Sequence, residues 1–263
     1  MGKKSGLCIL LISALLWGGC PAGKGLDPTR DFPFAVNGRV NPILFDHLPQ
    51  EWIPSAYFDR GLHYKGSRFR VVPLAEMVRK FRPEEKWDAV LLECHDDYQG
   101  LLSIDDILQY DLRLALEMEL EPGTERPGWL HPMIVIVPDH SKAPRQERFM
   151  TANIKELRFV RLSDYYAPLD SVTLDSMHAE RGALVFKDNC LFCHSLKGVG
   201  GHKGTDLLGT YDFSKGEDGP KFKKDFTAFH HSQNPDKQDM EQFVAGDDLR
   251  RLVVFLRAMQ SGP

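Results

Sequence analysis

The sequence predicts two domains, a mixed α/β (α+β) unit followed by a small all-α unit. Three observations carry this: short apolar stretches alternate with helical spacing between Asp31 and Leu169, strand-like stretches stop near Ser171, and 263 residues suffice for one or two domains. With 42% hydrophobic and 27% charged residues the chain is globular, which excludes disordered and collagen-like classes. Lys and Arg number 33 against 37 Asp and Glu, a net charge of −4, and there is no basic block. Phosphate binding draws on clustered positive charge, so nucleic acid is set aside as a partner.

Taken in order, the chain starts with two lysines, an apolar run from Leu7 to Trp17, and Gly18-Gly19-Cys20. The run is too short for a bilayer core needing about 20 residues and suits a secretory signal over residues 1–19. Small residues directly before Cys20 resemble a bacterial lipoprotein cleavage site, which implies a lipidated Cys20 and anchorage to a bilayer on the periplasmic side of the envelope. Ordinary signal-peptidase cleavage nearby is the alternative. Losing Lys3 and Lys4 leaves 31 basic against 37 acidic residues, a net −6. Residues 20–30, rich in Gly and Pro, read as the tether. Of five cysteines, Cys8 leaves with the leader and Cys20 is acylated; Cys94, Cys190 and Cys193 cannot all pair, so a disulfide framework is excluded.

Within residues 31–169, Asp88–Cys94 (DAVLLEC) and Met133–Pro138 (MIVIVP) read as strands. Val72–Phe81 and Ser103–Met118 carry helical spacing, the second with a Ser or Asp start signal. The boundary falls at Ala167–Leu174, and residues 175–263 form the second domain. In its last helix Leu249, Leu252, Val253 and Leu256 make one apolar face, and Asp247 is placed to cap the start.

Residues 190–194 read CLFCH. Two thiols three apart on one turn can add to the two vinyl groups of a haem, and the following imidazole then reaches the iron. A thioredoxin-like role lacks the preceding strand and leaves His194 idle, and a zinc site lacks a second ligand pair at suitable spacing. The text from Ala179 through Leu207, with NPDKQDM (Asn234–Met240) and DDLRRLVVFLRAM (Asp247–Met259), resembles a class I mono-haem c-type cytochrome. That resemblance implies haem c on Cys190 and Cys193, His194 as proximal iron ligand, and Gly182 and Phe186 on a helix packed against the last one. For the distal ligand it favours Met240, in the loop before the last helix, over Met259, which lies on the apolar stripe; His202, His230 and His231 compete. The family's usual proline is absent from Gly204-Thr205-Asp206-Leu207, whose neighbourhood supplies a carbonyl to the proximal imidazole, but a backbone carbonyl serves whatever the side chain.

Four segments of the first domain, Phe34–Val40, Tyr64–Val78, Ala89–Leu108 and Pro132–Pro138, resemble the molybdopterin-binding domain of the sulfite-oxidase type, with Cys94 where a molybdenum ligand would fall. His95, Asp96 and Asp97 follow it, and two carboxylates repel an anionic pterin phosphate. Cys94 shares strand parity with Leu92 and Val90, the pattern of a buried thiol. We read this domain as cofactor-free. Glu93, His95 and Asp97 offer a small metal site or a solvated strand end.

These readings converge on an envelope-anchored electron-transfer protein with redox donor and acceptor partners, more an electron carrier than an enzyme. Lys221, Lys223 and Lys224 are either a docking patch or a solvated loop. The alternatives are a haem enzyme with an open sixth position and a molybdenum- and haem-dependent oxidoreductase subunit.

Overall fold

The computed structural model describes residues 34–40, 45–230 and 243–262. Cys20 with the leader and tether, His231 and Met240 lie outside the described residues. Before the helical region the chain runs β1 (Ala35–Val36), β2 (Arg39–Val40), β3 (Glu51–Pro54), α1 (Ala56–Leu62), β4 (Arg68–Pro73), α2 (Leu74–Phe81), β5 (Ala89–Cys94), β6 (Gln99–Ser103), α3 (Ile104–Gln109), β7 (Arg113–Glu119), β8 (Ile134–Ile136), a 3₁₀ turn (Glu147–Met150) and β9 (Ile154–Val160). Two sheets result, ordered β2-β1-β9-β5-β6 and β3-β4-β7-β8. Among the described strands only the β1–β9 pair is parallel.

The strand over Asp88–Cys94 forms as β5, between β6 and β9, and is buried on both sides. Val90, Leu92 and Cys94 join the main core with Leu102, Leu114 and Leu157, while Ala89 and Leu91 meet Tyr165 and Tyr166 of α4 (Leu162–Asp170). This explains why DAVLLEC is a continuous apolar run instead of an alternating one. The expected strand at Met133–Pro138 is present as the shorter β8.

Both predicted helices need correction. The first begins at Leu74, because Val72 and Pro73 complete β4, with Pro73 extended at φ −65°, ψ 127°. The predicted helix over Ser103–Met118 covers only its first part. Ser103 and Asp106 form a reciprocal capping box, so the start signal holds. Asp111 then takes a left-handed φ of 50°, and residues 113–119 become β7, hydrogen-bonded between β4 and β8. Leu114 and Leu116 face one core cluster and Ala115 another, so two apolar surroundings gave the segment a spacing that mimicked a helix.

After β9 the described residues contain no strand, only an isolated pairing of Leu196 with Val199. The helices are α4, α5 (Met177–Val185), continued by a π turn (Phe186–Cys190), then α6 (Leu207–Thr210), α7 (Asp218–Phe229) and α8 (Gly246–Ser261). With α1–α3 they make eight α-helices among the described residues. Leu169 and Val172 at the end of α4 already belong to the helical core, so the chain passes from one core to the other at this point.

α5 packs on α8. Ser176 caps α5 through the Ala179 N–H, and on α8 the expected face of Leu249, Leu252, Val253 and Leu256 is buried together with Phe255 and Met259. Asp247 is not the cap: Ala245 holds that position, and Asp247 and Asp248 lie in the first turn, paired with Arg250 and Arg251. The crossing is closest at Gly182, where a Cβ would come within 2.2 Å of the Arg251 carbonyl oxygen and 2.8 Å of the Phe255 Cβ. Since the obstacle is backbone, the helices must part to admit even a methyl group. Gly182→Ala is expected to lower unfolding free energy by about 1–3 kcal/mol, measured by chemical denaturation.

Candidate functional site

The α5 helix does not stop at Val185. Its axis continues through the π turn, in which the Leu191 N–H donates to the Phe186 carbonyl at 2.9 Å, and delivers Cys190 at the turn's end. Such π segments inside helices recur at functional sites. The Cys193 and His194 N–H groups both donate to the Cys190 carbonyl, at 3.1 and 2.9 Å, so the five residues of CLFCH wind as one compact turn. Behind them the chain folds back: the Gly201 N–H donates to the Leu191 carbonyl at 2.9 Å and the Gly204 N–H to the Cys193 carbonyl at 2.7 Å.

This return places the Thr205 carbonyl 2.8 Å from His194 Nδ1. A carbonyl only accepts, so Nδ1 carries the proton and Nε2 keeps the lone pair, the tautomer a metal ligand requires. Burial pulls the imidazole pKa below its ordinary value, partly offset by the Thr205 bond, so the ring is neutral near pH 7. Gly204 is obligatory for this seat, since a Cβ there would lie 2.3 Å from His194 Cε1 and Nδ1.

Cys190, Cys193 and His194 share one cavity of about 870 Å³. Leu207, Phe222, Phe226 and His230 line it from α6, α7 and the end of α7, while Leu62, Tyr98, Trp129, Glu147 and Met150 line it from the first domain. Both thiols are unbridged. Burial, helped by nearby Glu147, pushes the Cys190 thiol up to about 12 and the Cys193 thiol well above its usual range. Thiol-disulfide chemistry favours the reverse, a thiol whose pKa is lowered by positive surroundings. The donor set instead suits a large, mostly apolar ligand that takes two covalent bonds from sulfur and one coordinate bond from nitrogen.

His230 lines the cavity with its Nδ1 3.0 Å from the Phe226 carbonyl and its ring centre 6.5 Å from that of His194. His202 is exposed, and its N–H donates to the Asp97 carbonyl. Met259 is buried in the helical core and is not among the cavity's lining residues. Cys94 is likewise absent from the lining; it lies in the first domain's core, where burial raises its pKa. Glu93 is taken up by Arg158 and Gln99, and among the described residues no group of three or more His, Cys, Asp or Glu is placed to hold a metal ion. Lys221, Lys223 and Lys224 lie on α7, with Phe222 and Phe226 turned inward between them.

The sequence gives no hint of Glu147, Tyr98 or Trp129 as cavity residues. Glu147 sits among Arg145, Gln146 and Arg148, a context that reads as surface, yet it is 2% exposed. The chain matches no protein-family model and no curated protein.

Burial raises the Glu147 pKa from 4.5 to about 8. Between those values the unfolded chain has released this proton and the folded chain still holds it, so stability is full below about pH 4.5, falls as pH rises, and levels off above about pH 8. The effect is at most about 5 kcal/mol. Glu147→Gln is expected to remove that slope, so a melting-temperature series from pH 5 to pH 8 should decline more steeply for the wild type than for the variant.

Proposed function

We propose that the protein is an envelope-anchored electron carrier holding one covalently bound haem c. The observation that supports this most is the C-x-x-C-H turn lining a large, mostly apolar cavity, with the His194 imidazole held in the ligating tautomer by the Thr205 carbonyl. Cys190 and Cys193 would hold the haem through thioether bonds and His194 would ligate its iron. Bound there, the haem supplies a one-electron couple. The surrounding side chains orient the ring, exclude water and hold His194 neutral. Met240, in the segment before α8, is the proposed second axial ligand, and a sulfur ligand raises the potential relative to two imidazoles.

Lipidated Cys20 tethers the protein to a membrane on the periplasmic side, and redox partners approach over α7 with its lysines. The first domain carries no cofactor of its own in this reading: its one candidate thiol, Cys94, is packed in the core.

One observation favours a second reading of the axial pair. Two imidazoles sharing one metal, each bonded at about 2 Å, have ring centres roughly 6 Å apart. His194 and His230 stand at 6.5 Å, each with Nδ1 bonded to a carbonyl.

Optical spectra of purified wild type, Met240→Ala and His230→Ala separate the two. The sulfur-to-iron absorption band is expected in the wild type and in His230→Ala and should vanish in Met240→Ala. A wild type without that band, whose spectrum changes only in His230→Ala, would assign two histidines. The double variant Cys190→Ser, Cys193→Ser should carry no covalent haem. Rapid carbon monoxide binding to the reduced protein would replace electron carriage with a haem enzyme or sensor, and molybdenum found by metal analysis would restore the oxidoreductase alternative.

A further inference from the structure

The C-x-x-C-H turn is not left open to solvent. The turn joining β5 to β6 sits on it: the Gln99 N–H donates to the Phe192 carbonyl at 3.0 Å, the Tyr98 ring stacks on Phe192 with centres 4.7 Å apart, and the Asp97 carbonyl accepts from the His202 N–H at 2.8 Å. Asp97 reaches this position in a left-handed conformation, φ 67°. Lys203 stands over the Tyr98 ring, 5.6 Å from its centre. Opposite Cys190 a second contact closes the motif: the Glu147 N–H donates to Asn189 Oδ1 at 3.0 Å, Gln146 Nε2 donates to Asp188 Oδ2 at 2.8 Å, and Arg148 bridges Asp106 and Asp188. The two contacts flank the attachment cysteines, and between them the first domain supplies cavity wall through Leu62, Trp129 and Met150.

We propose that the N-terminal domain is a covalently tethered cap on the haem, seated on the C-x-x-C-H turn, and that its exclusion of water from this edge holds the iron's reduction potential up. The inference rests on the haem reading above. Its physical basis is that oxidation leaves an additional positive charge on the iron, and a charge is less favourable where water is kept out. Backbone bonds at the first contact and side-chain bonds and ion pairs at the second make the cap a defined geometry instead of a loose encounter, and the cap occupies the attachment edge itself. Electron exchange is thereby left to the side of the cavity walled by α7. A domain that contributed only packing would alter stability when its contacts are cut, without moving the potential of an iron that stays fully ligated.

The test uses the full haem-loaded chain. Tyr98→Ala removes the stack on Phe192, Tyr98→Phe keeps it, and Asp188→Arg sets two guanidinium groups against each other at the second contact, outside the cavity lining. Haem content by pyridine haemochromogen, the midpoint potential by redox titration, and hydrogen exchange at the Gln99 and His202 amides are read for each. In Tyr98→Ala and Asp188→Arg the haem is expected to stay attached and the two amides to exchange at least tenfold faster. At the wild-type midpoint the ferric-to-ferrous ratio should rise about tenfold, a downward shift of about 59 mV for one electron. Tyr98→Phe should match the wild type. Attached haem, faster amides and an unchanged potential in Tyr98→Ala would overturn the cap as a determinant of potential while leaving the haem reading intact. A wild type without covalent haem would overturn both.

Discussion

The helical half depends on one close approach, that of the α5 and α8 backbones at Gly182. The Arg251 carbonyl and the Phe255 side chain occupy the space a Cβ would need, so the two helices cross at a separation that admits no side chain at this position. Phe186, one turn further on, then meets Phe255 with ring centres 5.6 Å apart. These contacts set the axis along which α5 runs out through its π turn, and hence where Cys190 begins the C-x-x-C-H turn. The site is thus built on the end of a packed helix, and its next support, the chain that returns to place Thr205 behind His194, is held by backbone hydrogen bonds to Leu191 and Cys193. Rigid support of this kind keeps the His194 ring in one orientation.

The second organising feature is the union of two cores around one cavity. The sheets and the C-terminal helices bury separate main apolar clusters, and the helical cluster reaches the cavity through Cys190, Leu207, Phe222 and Phe226. Leu62, Tyr98, Trp129, Glu147 and Met150, from the sheet-containing part of the chain, complete its wall. Its polar members come from both sides, with Asp96, Glu147 and Lys203 near Cys193. In surroundings this apolar, an ionised carboxylate or thiolate is costly, which is why Glu147 and both cysteines are pushed toward their neutral forms. A site that keeps its acids neutral and its imidazole uncharged is suited to hold a large cofactor without adding fixed charge beside it.

The segment after Cys94 illustrates how the same residues change meaning with context. As sequence, His95, Asp96 and Asp97 are an acidic strand end that argues against phosphate. In the fold, Asp96 Oδ2 accepts from Asn153 Nδ2 and the backbone of Asp97 and Gln99 grips the second domain. The backbone atoms, not the carboxylate charges, make those grips. No composition or spacing reports backbone contacts between residues 93 and 105 positions apart.

Much of the architecture was legible in the sequence. The α/β texture before Ser171, the absence of described strands after it, the strand at DAVLLEC, the buried parity of Cys94, the apolar face of α8 and the grouping of Cys190, Cys193 and His194 all follow from local spacing, because one turn or one strand is enough to determine which side chains share a face. Beyond local reach the reading failed. The helix expected over Ser103–Met118 broke at Asp111, since pairing of β7 with β4 and β8 outweighed its periodicity, and the cap of α8 fell two residues before Asp247. Glu147, Tyr98 and Trp129 entered the cavity without a sequence signal. The sequence by itself therefore determined the C-x-x-C-H turn and the elements that carry it. Only the tertiary structure decided what encloses that turn, because the enclosing wall is made by chain segments distant in sequence, brought together when two separate cores pack against each other.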